Sequence, residues 1–449
     1  MELLLKYNKI LNSFVWGPYM LVFLVGTGVY YTIRTNFMSI TKIGYVLKNT
    51  LFKIFDKKVR GEGEITPFQA VATALAATIG TGNIAGVATA IAIGGPGAVF
   101  WMWLSAIFGM ATKFGEVVLA IKFREKTEDG RFVGGPMYYI KNGLGWKWLA
   151  GIFAFFGAVA AFGIGNMVQG NSVADSMNAA FGVPHWISGL VLAIAAGLVI
   201  IGGLKRIAAF TERLVPIMAL FYVVGALIIL TIFAKDIPAA FGLIFRSAFT
   251  GTAAVGGFAG STIMMAARYG VARGVFSNEA GLGSAPIAHA AATTDSAVRQ
   301  GLWGIFEVFM DTIIVCSMTA LTIVVTGVWD TGLDGAALST EAFNKGLPGP
   351  GGIIVAIGIL LFAYSTILSW SYYGERCAEY LFGSRINKFY RIIWVPFIYI
   401  GSVGGLELMW NIADTLNGLM AIPNLIGLIG CSGIVFKLTK EYFSNKNAL

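Results

Sequence analysis

Residues 77–86 read Ala-Thr-Ile-Gly-Thr-Gly-Asn-Ile-Ala-Gly, placing three glycines and three hydrogen-bonding side chains inside an otherwise apolar stretch. Glycine weakens a helix interior, so this composition suits a local unwinding. At bilayer depth an unwound backbone survives only where protein or a water-filled cavity surrounds it. Unwinding frees amides on one side, which start a new half-helix and attract an anion. It frees carbonyls on the other side, which attract a metal ion or an ammonium group. Thr78, Thr81 and Asn83 add oxygen ligands and donors to that set. The competing reading is an intact helix in which Gly82 and Gly86 form a small-residue packing face. A dinucleotide site is excluded because the spacing is GxGxxxG and no βαβ unit surrounds it.

A second glycine-interrupted stretch, Gly270-Val-Ala-Arg-Gly-Val-Phe-Ser-Asn-Glu-Ala-Gly-Leu-Gly283, has the same character. Here the carbonyls around Arg273 and Gly274 suit an ammonium, and Ser277 and Asn278 add polar groups. Phe276 either caps a small side chain or packs as an ordinary aromatic. Glu279 is expected just within a half-helix N-terminus, where a carboxylate is stabilised. Two breaks facing each other would hold a carboxylate, an ammonium and a sodium ion without any charged side chain. Among the remaining polar groups, Asn166 and Gln169 are costly at bilayer depth unless paired. Gln169 either lines a pocket and binds a carboxylate or makes an interhelical hydrogen bond. Glu307 and Asp311 share a helix face at i,i+4 and are expected to pair with Arg268 or Arg273 rather than to relay protons. Lys113 and Glu116 at i,i+3 read as a local ion pair. His185 and His289 are too few and too far apart for a metal cluster, and no nucleophile–base constellation argues for a membrane enzyme.

The elements that position these residues follow from composition. The chain has 449 residues, 57% hydrophobic and 12% charged, with a mean hydropathy of +0.75. Apolar runs of about 20 residues, the length that spans a bilayer, recur throughout. The class is therefore an all-α polytopic membrane protein, and no alternating strand pattern suggests a barrel. Eleven spans are expected, at about 13–33, 66–93, 98–121, 148–181, 184–203, 208–233, 253–291 (interrupted), 300–328, 351–374, 391–406 and 409–436. The formal charge of +9 is spread between spans and argues against a nucleic-acid partner. Segments 34–65, with Lys57 and Lys58, and 122–147 are basic, as are the ones holding Lys205 and Arg206, Arg376 to Arg391, and Lys437 to Lys446. Segment 329–350 is acidic, with Asp330, Asp334 and Glu341. The positive-inside rule then puts the N-terminus outside and the C-terminus in the cytoplasm of a cell-membrane protein. Cys316, Cys377 and Cys431 follow no disulfide or metal spacing. The first span contains no glycine-rich break and stands outside the other ten. Those ten divide into five and five, each half opening on a glycine-interrupted span. Because five is odd, the halves run in opposite directions, as in transporters built from inverted repeats. The expected organisation is 1–62 for the extra helix and linker, 63–235 and 236–436 for the repeats, and 437–449 for a cytoplasmic tail.

Three stretches carry a resemblance: GGPGAVFWMWLSAIFGM (94–110), TIGTGNIAGVATA (78–90) and GVARGVFSNEAGLGSAPIAHAAA (270–292). With them the sequence resembles the alanine or glycine:cation symporters, a branch of the amino acid–polyamine–organocation superfamily. The resemblance implies a leucine-transporter-like 5+5 inverted repeat with one extra N-terminal helix. It also implies sodium-driven uptake of alanine or glycine by alternating access. Gly80-Thr-Gly-Asn83 looks like the Gly-Leu-Gly-Asn of sodium-coupled relatives. By that match the amides of Thr81 and Gly82 meet the substrate carboxylate, and the carbonyls of Ala77 and Thr78 face its amine. The carbonyls of Ala76 and Ile79 face sodium. The ion's remaining ligands come from the eighth core helix, here Thr366 with Ser365 or Ser369. Asn83 is the candidate for a second sodium, and a single ion fits equally well. Gln169 is expected to line the pocket, since the third core helix flanks the site in this fold. Trp370, one turn beyond Thr366, closes the pocket with Phe276. A pocket with no charged side chain would favour small neutral amino acids. Sodium is the coupling ion, no other cofactor is expected, and the oligomeric state is left open. Proton coupling is the nearest alternative. An ion channel is disfavoured because the breaks supply one asymmetric site and not a ring of ligands.

Overall fold

The computed structural model describes residues 2–54, 60–250, 262–404 and 407–444. Lys57, Lys58, Lys446 and the opening of the seventh expected span (251–261) lie outside the described residues. Among those described, seven helices are long and apolar enough to cross a membrane, or eight when one bent pair counts as a span. The protein is a multi-pass membrane protein. The other expected spans correspond to shorter or interrupted helices, including His185–Ile200, Ile386–Val403 and the second glycine-rich segment.

The bent pair is the first glycine-rich stretch. Helix Pro67–Thr78 starts with a capping box, in which Thr66 accepts from the Gln69 amide and the Gln69 side chain accepts from the Thr66 amide. It stops at Ile79, passes through extended Gly80 and one tight turn at Thr81–Asn83, and resumes as Ala85–Gly94. The two pieces meet at 58°. The second stretch breaks later than expected. Helix Ile263–Asn278 is continuous, and the unwound piece is Glu279–Ser284, with φ of +56° at Glu279, +91° at Gly281 and +83° at Gly283. A short helix, Ala285–His289, follows. Gly270 and Gly274 mark close packing instead of a break. A Cβ at Gly270 would strike the Ala98 carbonyl and the Trp101 side chain, and one at Gly274 would lie 2.8 Å from Ser105 Oγ.

Around the breaks, helix Ala98–Lys122 packs against Ile263–Asn278 and Ala297–Val308. Helix Gly351–Phe382 packs against Pro67–Thr78, Lys147–Phe162 and Gly203–Ile232. Two spans contain wide π-type turns, at Gly163–Met167 and Phe309–Cys316, a feature common beside functional sites. The outer faces carry large apolar side chains such as Leu190, Ile194, Leu198, Ile217 and Leu220. A belt of that size on a helical bundle is a lipid-facing surface.

The first span, Lys6–Arg34, passes through a two-residue turn near its start. Helix Glu2–Val15 ends in a turn at Trp16–Gly17, and Pro18–Arg34 begins anew at proline, which has no amide to donate. Both pieces lie against the last helix, Glu407–Ser444: Asn12 Nδ2 donates to Asp414 Oδ2 at 2.9 Å and Tyr31 OH to the Leu428 carbonyl at 2.7 Å. That last helix runs through residues 437–444, where a separate tail was expected. All three cysteines are buried and unpaired.

Candidate functional site

The unwinding at Ile79–Gly80 removes the regular partners of the last helical carbonyls. The Gly80 amide donates to Asn83 Oδ1 at 2.8 Å, not to Ala76. Among the described residues no backbone amide bonds the carbonyls of Ala76, Ala77 or Thr78, and the amides of Thr81 and Gly82 have no backbone partner. Helix Gly351–Phe382 supplies hydroxyls to this gap. Ser365 Oγ lies 3.0 Å from the Ala76 carbonyl, and Thr366 Oγ1 lies 3.1 Å from Ala76 and 3.3 Å from Ala77. Ser369 Oγ is fully buried and, among the described residues, makes no hydrogen bond. Carbonyl and hydroxyl oxygens converging in this way form a hard-donor set that suits a small cation.

Beside these groups lies a small cavity with about 20 Å³ of room. Ala77, Thr78, Thr81 and Gly82 line it from the first break, Gln169 from the third core span, Phe276 from the second broken helix, and Thr366 and Trp370 from Gly351–Phe382. As the side chains stand, the cavity has room for about one water molecule. Gly82 sits at a close approach: a Cβ there would lie 3.3 Å from Phe276 Cδ1 and from Ser277 Cα, so a neighbour would have to give slightly. At Gly80 a Cβ would sit 2.7 Å from Thr366 Oγ1.

Arg273, Gly274 and Ser277 stand outside the cavity lining. The carbonyls of Arg273 and Gly274 belong to a continuous helix, and the Arg273 guanidinium lies 5.6 Å from the centre of the Phe276 ring. Ser277 Oγ donates to Asp311 at 3.0–3.1 Å. Asn83 is fully engaged: its Nδ2 donates to Asp311 Oδ1 at 2.7 Å while its Oδ1 holds Gly80. Asp311 thus ties the first break to the second broken helix through neutral donors, and not through an arginine as expected. Glu307 pairs with Lys113 at 3.2 Å and with His289 Nε2 at 3.2 Å. Glu116, expected to pair with Lys113, accepts from the amides of Gly281 and Gly283 and from Asn424. Asn166 Nδ2 donates to the Trp394 carbonyl at 2.8 Å, an interhelical bond.

Gln169 presents the opposite group from the one expected. Its Nε2 donates to the Ile164 carbonyl at 2.9 Å, within the π-type turn, and among the described residues its Oε1 makes no hydrogen bond. An acceptor faces the cavity, so Gln169 suits an ammonium and not a carboxylate. Gly80, Ile164, Glu279 and Asn417 also line the cavity. Asn417 was overlooked although its signal, an amide in an apolar span, is the one that marked Gln169. Glu279 caps the end of its helix in the left-handed region, where it was expected to open the next one.

A wide vestibule of about 840 Å³ reaches Thr81 from the face carrying helix Gly335–Gly346, with Asp175 and Glu341 on its walls. The opposite, basic face is sealed. Glu64 and Thr293 amides bond across the chain at 2.8 and 2.7 Å, and Arg124 caps the carbonyls of Ala290, Ala292 and Glu62. Arg131 joins Glu379 at 2.9 Å, Arg391 joins Glu375 at 2.5 Å, and Arg376 bridges both acids.

The sequence profile described as the sodium:alanine symporter family matches residues 1–449. The chain belongs to that family. The sodium/alanine symporter AgcS of Methanococcus maripaludis is 54% identical, aligned over 96% of this chain and 95% of its own. The probable sodium/glutamine symporter GlnT of Bacillus subtilis is 39% identical over 98% of this chain and 91% of its own. Among solved structures, MhsT in complex with L-phenylalanine superposes with a TM-score of 0.58 at 14% identity, covering 86% of this chain and all of that one. That likeness extends to the fold. Within the family's frame, the two broken segments and the hydroxyl-bearing helix are the parts that meet at the cavity.

Proposed function

We propose that this protein is a secondary active transporter that couples sodium entry to uptake of small neutral amino acids, alanine or glycine, by alternating access. The observation that carries the reading is the meeting of Ser365 and Thr366 with the Ala76 carbonyl at the edge of a small cavity. Sodium would be held by the carbonyls of Ala76 and Ile79 with Thr366 and Ser365 or Ser369. The substrate carboxylate would take the amides of Thr81 and Gly82, and its ammonium the carbonyls of Ala77 and Thr78 with Gln169 Oε1. Sodium and substrate then share one stretch of backbone, so each raises the other's affinity by the same factor. Asn83 Oδ1 is already bonded to Gly80, which favours one ion over two.

The proposed architecture is a 5+5 inverted repeat over 63–235 and 236–436, with the N-terminus outside and the C-terminal end cytoplasmic. The vestibule then opens outward and the basic seal faces the cytoplasm, in an outward-open state. The names of the relatives, sodium/alanine and sodium/glutamine symporters, support the same chemistry. The test is uptake of labelled alanine into proteoliposomes. A sodium gradient should drive accumulation, and a pH gradient without sodium should not. Accumulation under the pH gradient alone would overturn sodium coupling. Flux that neither saturates nor shows counterflow would indicate a channel.

A further inference from the structure

The cavity contains one acidic side chain. Glu279 lines it and is 4% exposed. Its Oε1 accepts from Trp370 Nε1 at 2.9 Å and its Oε2 from Ser284 Oγ. Both donors are neutral, and among the described residues Glu279 makes no ion pair. Among the described residues the one buried lysine, Lys113, is bound to Glu307. Three buried carboxyls, Glu116, Glu279 and Glu307, act on that single ammonium. Arg273, the cation nearest along the chain, stacks on Phe276 outside the cavity lining. A buried carboxylate is costly without a cation close by. A second, independent observation points to a hydrogen-bond donor as the ligand: among the described residues Gln169 Oε1, a buried acceptor at the same cavity, has no donor. A Cβ on Gly80 would lie 3.8 Å from that oxygen, which places it beside the first break.

We propose that Glu279 supplies the countercharge for the ammonium group of the zwitterionic substrate, with Gln169 Oε1 as the second acceptor. This rests on the amino acid symport reading and deepens it. Backbone amides at Thr81 and Gly82 hold one end of the zwitterion, and the Glu279 carboxylate fixes the other. A molecule with a hydroxyl in place of the ammonium leaves that carboxylate uncompensated and is rejected. Trp370 and Ser284 orient the carboxylate, so the aromatic wall and the charge are set together.

The experiment is calorimetric titration of L-alanine and L-lactate onto full-length protein in detergent at saturating sodium. The parent, Glu279→Gln and Glu279→Asp variants are compared after their melting temperatures are measured. The parent should bind alanine and not lactate. Glu279→Gln should lose alanine affinity on the order of a hundredfold, as expected for removing one side of a buried charge pair, with lactate binding no weaker. Glu279→Asp keeps the charge and should keep the preference for alanine at reduced affinity. If Glu279→Gln does not fold, loss of alanine-over-lactate selectivity in Glu279→Asp overturns the proposal and its retention supports it. Unchanged alanine binding by Glu279→Gln overturns it, as does equal weakening of both variants with selectivity intact. Failure of the parent to bind alanine would overturn the symport reading itself.

Discussion

Thr366 has one hydroxyl proton and three carbonyls within reach, Ala76 at 3.1 Å, Ala77 at 3.3 Å and Phe362 at 3.0 Å. Whichever carbonyl takes the proton, the oxygen's lone pairs remain beside the first break. Thr366→Val removes that oxygen while keeping the branched shape. It should raise the sodium concentration for half-maximal alanine binding by about five- to a hundredfold, since such a contact is worth ~1–3 kcal/mol and each 1.4 kcal/mol is about tenfold. A sodium titration of alanine binding checks this, and an unchanged midpoint would remove Thr366 from the ion site. The types of these residues were legible in the sequence: a threonine and two serines at helical spacing in an apolar span have few other uses. The direction of a side chain was not. Gln169 was expected to offer its amide hydrogens, but the π-type turn at Gly163–Met167 leaves the Ile164 carbonyl to take them. No residue pattern announces such a turn.

Asn83 acts on the element. One side chain closes the gap at Gly80 and ties the break to Asp311 in the facing span. Asn83→Ala leaves a buried amide and a buried carboxylate each short of a partner. It should lower stability by ~1–3 kcal/mol, seen as a lower melting temperature, and weaken alanine and sodium binding together. Loss of alanine binding with the melting point unchanged would mean that Asn83 touches ligand directly. The first break could be read from the sequence because glycines and polar residues coincide in one short window. The second was misplaced because glycine has two uses. Gly270 and Gly274 let helices approach, while Gly281 and Gly283 permit the left-handed turns, and composition alone does not separate the two. Likewise the i,i+4 spacing of Glu307 and Asp311 showed that they share a face. It could not show that Lys113 and His289 meet one, and Asn83 and Ser277 the other.

At the scale of the molecule, an acid-walled vestibule faces one side and an arginine–glutamate lattice closes the other. Glu379 joins Arg131 and Arg376 in that lattice. Glu379→Gln weakens both pairs, so the closed basic face should open more often. Hydrogen exchange at the amides of residues 289–294 should quicken, because local opening sets their protection. Exchange identical to the parent would mean that the lattice does not hold the face shut. Composition and charge spacing made the membrane class legible, and the three quoted stretches the family. Eight of the expected spans fall on long apolar helices or the bent pair, and His185–Ile200 is apolar but shorter. The burial of Cys316, Cys377 and Cys431 has a practical side. Thiol-reactive dyes should find little to modify in the native chain, so a reporter cysteine introduced on the vestibule wall, for instance at Ala337, would give its signal against a quiet background without first stripping the natural sulfhydryls.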